Sequence, residues 1–201
     1  MSLAFFSAAL LAVGQANAAA PAATRALSWE LARSFAQKLE ALEKRPRKPG
    51  PRSPQQVVVS EGELNSYLNL SLGTKMPPGL TNVDVVLDSG RILARALVNL
   101  EQVRDKGLSP GPWSPLNYLT GSVPLEVKGS YRNAESHFGA LEVEEMRLGT
   151  FPVPMSLLEQ LVLSATRTQD NPRGFDIHAP FRLPYAAKRF RLQRGQVAIE
   201  F

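Results

Sequence analysis

The sequence predicts an α+β domain of long antiparallel hairpins and two apolar-striped helices, preceded by one extra helix. Three observations carry this. Gln55 to Leu72 passes from strand to helix chemistry in one step, because Val57, Val58 and Val59 are β-branched while Ser60 and Glu63 have the Ser-x-x-Glu spacing of a capping box. Residues 80–100 and 123–148 alternate apolar and polar side chains about short turns, the pattern of half-buried strands. Residues 61–72 and 155–167 repeat leucine at helical spacing.

In chain order, Leu3 to Val13 is an uncharged apolar run followed by Gly14-Gln15-Ala16-Asn17-Ala18, an Ala-x-Ala cleavage pattern. Residues 1–18 therefore read as a signal peptide, with a cut after Ala20 as the alternative. The run is short of the roughly 20 residues of a bilayer span. In the 19–45 segment, Thr24 to Arg45 predicts an amphipathic helix, with Leu27, Leu31, Phe35, Leu39 and Leu42 on one side and Glu30, Arg33, Lys38, Glu40 and Glu43 on the other. That helix either docks on the domain or lies on a membrane or partner. Four prolines between Pro46 and Pro54 exclude both helix and ladder, so 46–54 is predicted to be an extended basic linker from which the helix is tethered.

The main domain, 55–201, opens with the Val57–Val59 strand and a helix from Glu61. Leu64, Leu68 and Leu72, with Tyr67 beside them, form its apolar stripe, and Glu61, Glu63, Asn65 and Asn69 are expected to face elsewhere. The first hairpin runs Val83, Val85, Leu87, a Ser89-Gly90 turn, then Ile92, Ala94, Ala96, Val98 and Leu100. Leu93 and Leu97 on its other face suggest a sheet covered in part on both sides. Residues 105–117 read as a loop. In the second hairpin Val123, Leu125, Val127, Gly129 and Tyr131 share a face, residues 132–136 turn, and the phase changes among Leu141, Val143, Met146 and Leu148 call for a bulge. A helix over 155–167, a break at 172–174, and an extended tail with a kink at Pro184 and a turn at Arg194-Gly195 complete the chain.

The chain has no cysteine, so it forms no disulfide and offers no lipidation cysteine. A net charge of +5 favours anionic partners, which outside the cytoplasm are phospholipid head groups or wall polymers and not nucleic acid. No catalytic constellation stands out. Gly107-Leu108-Ser109-Pro110-Gly111 spells a nucleophile elbow without the strand and helix that motif needs. His137 and His178 are the only histidines, too few ligands for zinc, and Glu142, Glu144 and Glu145 read as a solvated strand face. Asn69-Leu70-Ser71 is a glycosylation sequon by letters only. The expectation is a non-enzyme with no metal and no cofactor.

The runs V-V-V-S-E-G-E-L-N-S-Y-L-N, P-P-G-L-T-N-V-D-V and G-R-I-L-A-R-A, with the later F-P-V-P-M-S-L-L-E-Q-L-V, P-F-R-L-P-Y and R-G-Q-V-A-I-E-F, resemble the bacterial tubular lipid-binding superfamily. The chain resembles in particular the YceB-like periplasmic lipoproteins, from which it departs in lacking a lipobox cysteine and in adding the N-terminal helix and linker. The resemblance spans 57–201. It implies a long, curved antiparallel sheet wrapped around one or two helices, with an apolar channel for acyl chains. On that reading Leu64, Leu68, Leu72, Val85, Leu87, Ala94, Ala96 and Leu161 line the channel, the ligand is a lipid or fatty-acyl chain, and Arg45, Arg47, Lys48 and Arg52 meet an anionic membrane surface. The protein would then bind or transfer lipid in the periplasm or outside the cell, without catalysis. A packed core and a lipid cavity look alike in sequence, so the alternative is a cell-envelope interaction module with a solid core that binds a protein or wall polymer.

Overall fold

The structure is a computed structural model and describes residues 26–45, 56–72, 76, 79–105, 120–166 and 174–201, excluding the side chains of 103–105, 160, 161 and 164–166. The signal segment and the 46–54 linker lie outside the described residues. The fold is α+β, with a six-stranded antiparallel sheet, a smaller three-stranded sheet, an N-terminal helix and a few short helices.

Helix α1 spans Trp29–Glu43. It starts later than its apolar pattern because Ser28 caps it, the hydroxyl accepting from the Glu30 N–H at 3.1 Å. Strand β1 (Gln56–Ser60) runs directly into α2 (Glu61–Ser66) through the expected capping box, with the Ser60 hydroxyl on the Glu63 N–H and the Glu63 carboxylate on the Ser60 N–H. The helix then widens into a π-turn over Tyr67–Ser71, closed by the Leu72 N–H on the Tyr67 carbonyl at 2.9 Å.

Strands β2 (Leu80–Asp88), β3 (Arg91–Asn99), β4 (Ser122–Glu135), β5 (Phe138–Leu148) and the short β6 (Phe151–Pro152) follow one another across the larger sheet, and β7 (Phe181–Arg182) pairs with the far end of β5. The bulge predicted from the phase changes is present. Lys128 pairs with Glu145 and Gly129 with Val143, which leaves Glu144 as the extra residue. Gly129 sits there because a Cβ would lie 2.2 Å from the Glu142 carbonyl oxygen. The first hairpin ends earlier than alternation suggests. Asn99 accepts the Glu101 and Gln102 N–H groups at 3.1 Å and starts a short helix, α3 (Leu100–Asp105), in place of a strand end and loop. Strand β4 in turn continues to Glu135, confining the expected 132–136 turn to Ser136 and His137. Helix α4 (Met155–Thr166) matches its predicted span. Strands β8 (Arg189–Gln193) and β9 (Gln196–Glu200) form the last hairpin, and β9 pairs with β1 to close the smaller sheet in the order β1-β9-β8.

Side chains cap the open strand edges. On β2, the Asn65 amide donates to the Val85 carbonyl at 2.9 Å and accepts its N–H at 2.7 Å, and one helical turn on Asn69 does the same to Val83 at 2.6 and 3.0 Å. On β8, Asn133 holds both backbone groups of Phe190. On β1, the Lys38 ammonium donates to the Val58 carbonyl and to both Glu63 oxygens. Unpaired edges would otherwise recruit other strands, so these side chains substitute for the missing neighbours.

The same contacts correct two expectations. The polar side of α2 does not face solvent, since Glu61, Glu63 and Asn65 are buried, Glu61 against the turn at Gly195, Glu63 against α1 and Asn65 against the β2 edge. Nor is α1 merely tethered. Ala32, Phe35 and Leu42 are buried, the Phe35 and Tyr67 rings lie 4.8 Å apart, and Ser34 and Lys38 both bond Glu63. Gly62 permits this approach, as a Cβ there would meet Leu31 at 3.3 Å. The apolar face of α1 is therefore occupied within the fold.

Candidate functional site: the seam between two half-cores

Inner-face residues of β2 to β5 are covered by two different helices, which divides the core in two. The first half gathers Leu64, Leu68 and Leu72 of α2 with Val85, Leu87, Ala94, Ala96, Phe35 and Tyr131. The second gathers Leu158 and Val162 of α4 with Leu125, Val127, Met146, Leu148 and Ile177. Leu80 and Ile92 pack against both.

Where the halves meet there is a hollow lined by Leu80, Val83, Ala94, Arg95, Ala96, Leu125 and Val127, with a free volume of about 10 Å³, the space of one water. It exists because Ala94 and Ala96, successive inward residues of β3, have short side chains beneath the boundary between the helices. Arg95, between them, is held by Glu126 at 2.7 Å.

Seven of the eight sequence-nominated channel residues, Leu64, Leu68, Leu72, Val85, Leu87, Ala94 and Ala96, are buried in the first half-core, each less than 9% exposed. Only Ala94 and Ala96 also line the hollow. Leu161 falls in α4, but its side chain lies outside the described residues. Sequence reasoning missed Leu80, Val83, Leu125 and Val127 as partners of the two alanines. The paired small residues at i and i+2 within a strand of large ones were the available signal.

The other candidates have local roles. His137 donates from Nδ1 to the Ala187 carbonyl at 2.9 Å, a contact that fixes its tautomer. His178 bonds the Glu159 carboxylate at 3.0 Å on the surface, and its N–H bonds Asp176. Glu145 pairs with Arg147, and Glu142 and Glu144 are exposed. Ser109 lies outside the described residues. Among the described residues no group of three His, Asp or Glu side chains is arranged to hold a metal ion, and every buried side-chain nitrogen or oxygen has a hydrogen-bond partner.

Three ionisable groups in or beside the first half-core are shifted, among them the Tyr67 hydroxyl, which burial and the nearby Glu43 charge push up. Burial pushes the Glu63 carboxyl up, but hydrogen bonds from Lys38, Ser34 and Ser60 and the Lys38 charge outweigh it and hold the group below its ordinary value. Burial pushes the Tyr131 hydroxyl up to about 12, opposed by the Phe190 backbone. Glu63 is thus a structural anion and Tyr131 a neutral donor, bonded to Asn133 at 3.0 Å.

Of the four basic residues nominated for membrane contact, Arg45 lies with its guanidinium 3.8 Å over the Phe201 ring, and Arg47, Lys48 and Arg52 lie outside the described residues. Among the described residues no helix is long and apolar enough to cross a membrane. No family model, curated protein or solved structure matches the chain.

Proposed function

We propose that the protein binds or transfers lipid without catalysis, in the periplasm or outside the cell, and that an acyl chain enters the seam between the two half-cores. The observation that carries this reading is the apolar hollow above Ala94 and Ala96, at the one boundary where the inner face of the sheet passes from α2 to α4. At about 10 Å³ the hollow holds no acyl chain as it stands, so binding requires the packing around the seam to open. Each methylene removed from water then contributes about 0.8 kcal/mol, and enough of them offset the packing lost on opening. The apolar stripe of α2, the export pattern of residues 1–18 and the resemblance to tubular lipid-binding proteins point the same way.

The alternative is an envelope interaction module with a solid core. It is favoured by the tight burial of Leu64, Leu68, Leu72, Val85 and Leu87, which already satisfy one another without a ligand.

Native mass spectrometry of protein purified gently from a bacterial host, paired with displacement of a fluorescent fatty acid, separates the two. Co-purifying lipid and saturable displacement are expected for a lipid binder. A protein repeatedly at its bare mass that does not take up the probe is a solid module.

A further inference from the structure

The hairpin tip of β4 and β5 and the smaller sheet beside it concentrate cations. Residues 181–201 carry Arg182, Lys188, Arg189, Arg191 and Arg194 against Glu200 alone, in a chain whose net charge is +5. All five are exposed. Arg189 and Arg191 share the single Glu200 carboxylate at 3.5 and 2.8 Å, and Arg194 reaches Asp88 at the opposite end of β8. Arg182 and Lys188 form no ion pair among the described residues, and neither does Arg132 at the end of β4.

The hairpin tip also carries an exposed aromatic. Phe138, 38% exposed, is the first residue of β5 and pairs across the sheet with Arg182 on one side and Glu135 on the other. Arg132 pairs with Ala140, two residues along the same strand. Lys188 reaches the tip through its carbonyl, which accepts the His137 N–H at 2.9 Å. Backbone pairing thus brings Arg132, Arg182 and Lys188, with the carboxylate Glu135, to the tip that carries Phe138, and Arg189, Arg191 and Glu200 follow Lys188 in the smaller sheet.

The tip is also rigidly built. His137, at φ 69, is tied to the Leu183 N–H and to the Ala187 and Lys188 carbonyls, and the intervening Tyr185 and Ala186 both hold left-handed backbone at φ 58 and 57. Two consecutive residues with side chains avoid that region unless their surroundings over-determine it. The strained turn thus fixes Lys188 and Arg182 beside the hairpin tip.

We infer that this tip docks the protein on an anionic lipid bilayer, with Phe138 entering the boundary between head groups and acyl chains while Arg132, Arg182, Lys188, Arg189 and Arg191 contact anionic head groups. Charge complementarity selects a negative partner. The exposed phenyl ring amid the cations selects a bilayer over a soluble polyanion, which would offer that ring no apolar medium. The inference does not depend on the seam holding a ligand, so a solid-cored protein would dock in the same way.

Co-sedimentation with phosphatidylcholine vesicles, with and without phosphatidylglycerol, tests the inference. Binding is expected only with phosphatidylglycerol and should weaken as salt rises. The double reversal Arg182→Glu with Lys188→Glu should lower partitioning by about tenfold or more. Phe138→Ser should lower it several-fold without changing the salt dependence. All three positions are exposed, so melting temperatures should match the parent, and the control reversal of Arg33→Glu on α1 with Lys44→Glu at its C-terminal cap should bind like it. The inference is overturned by absence of binding, equal binding to pure phosphatidylcholine, unchanged binding of the tip variants, or an equal loss in the control. Equal affinity for a soluble polyphosphate with no penalty for Phe138→Ser would assign the surface to a polymer instead.

Discussion

The side-chain amide of Asn65 hydrogen-bonds both backbone groups of Val85, standing in for the strand that β2 lacks on its open edge. Asn69 repeats the arrangement at Val83. Asn65→Ala should destabilise the protein by about 2–4 kcal/mol, because it leaves a buried N–H and a buried C=O unmet. Asn69→Ala, at a partly exposed site, should cost less. Chemical denaturation gives the difference, and sizing chromatography of the double variant should reveal strand-mediated oligomers if the β2 edge is freed.

The Lys38–Glu63 pair fastens α1 to α2. The carboxyl of Glu63 is held below its ordinary value in the folded state, so its contribution is present above the unfolded pKa, about 4.3, and is lost as pH falls through the lower folded value. Acid should therefore weaken the docking of α1 more in the parent than in Glu63→Gln, which starts weaker at neutral pH and changes less between pH 6 and pH 3. Hydrogen exchange at the α1 amides measures this directly. An identical pH response in both proteins would assign the acid sensitivity to another group.

Two glycines should differ in how badly they tolerate alanine. At Gly129 the new Cβ would lie 2.2 Å from the Glu142 carbonyl oxygen, which is backbone and cannot move without disturbing the bulge. At Gly139 it would lie 2.7 Å from the Tyr131 ring and 3.0 Å from Leu183, both side chains. Gly129→Ala should cost about 3 kcal/mol or more, and Gly139→Ala about 1–3 kcal/mol. A reversal of this order in thermal melts would mean the bulge is softer than its geometry implies.

Much of the fold is legible in the sequence because local chemistry and tertiary structure agree. The Ser60–Glu63 capping box, the Ser89-Gly90 and Arg194-Gly195 turns and the in-phase face of β4 all appear where the residues place them. The misread parts are those where a polar side chain works at long range. Asn65 and Glu63 look solvent-facing on a helical wheel, since periodicity carries no information about an open strand edge or a lysine on another helix. The α1 docking is obscured similarly by the prolines after it, which describe the connection and not the contact. At the candidate site, the sequence identifies Ala94 and Ala96 as inward-facing, and the structure agrees. It does not identify their neighbours Leu80, Leu125 and Val127 in the hollow, because that requires knowing where α2 ends and α4 begins on the sheet.

The most direct test of the lipid-binding seam is a single variant, Ala96→Trp, measured for fatty-acid affinity and melting temperature in parallel. Ala96 is 8% exposed and lines the hollow between the half-cores. A seam that parts for an acyl chain also parts for an indole, so the account predicts a melting temperature within about 3 °C of the parent. Fatty-acid binding should be weakened by an order of magnitude, because the indole occupies the ligand's place. A solid core cannot accommodate the ring, and overpacking of that kind costs about 1–3 kcal/mol or more. A melting temperature lowered by roughly 10 °C, with probe uptake unchanged in the folded fraction or absent from the parent as well, would contradict the seam as a lipid site.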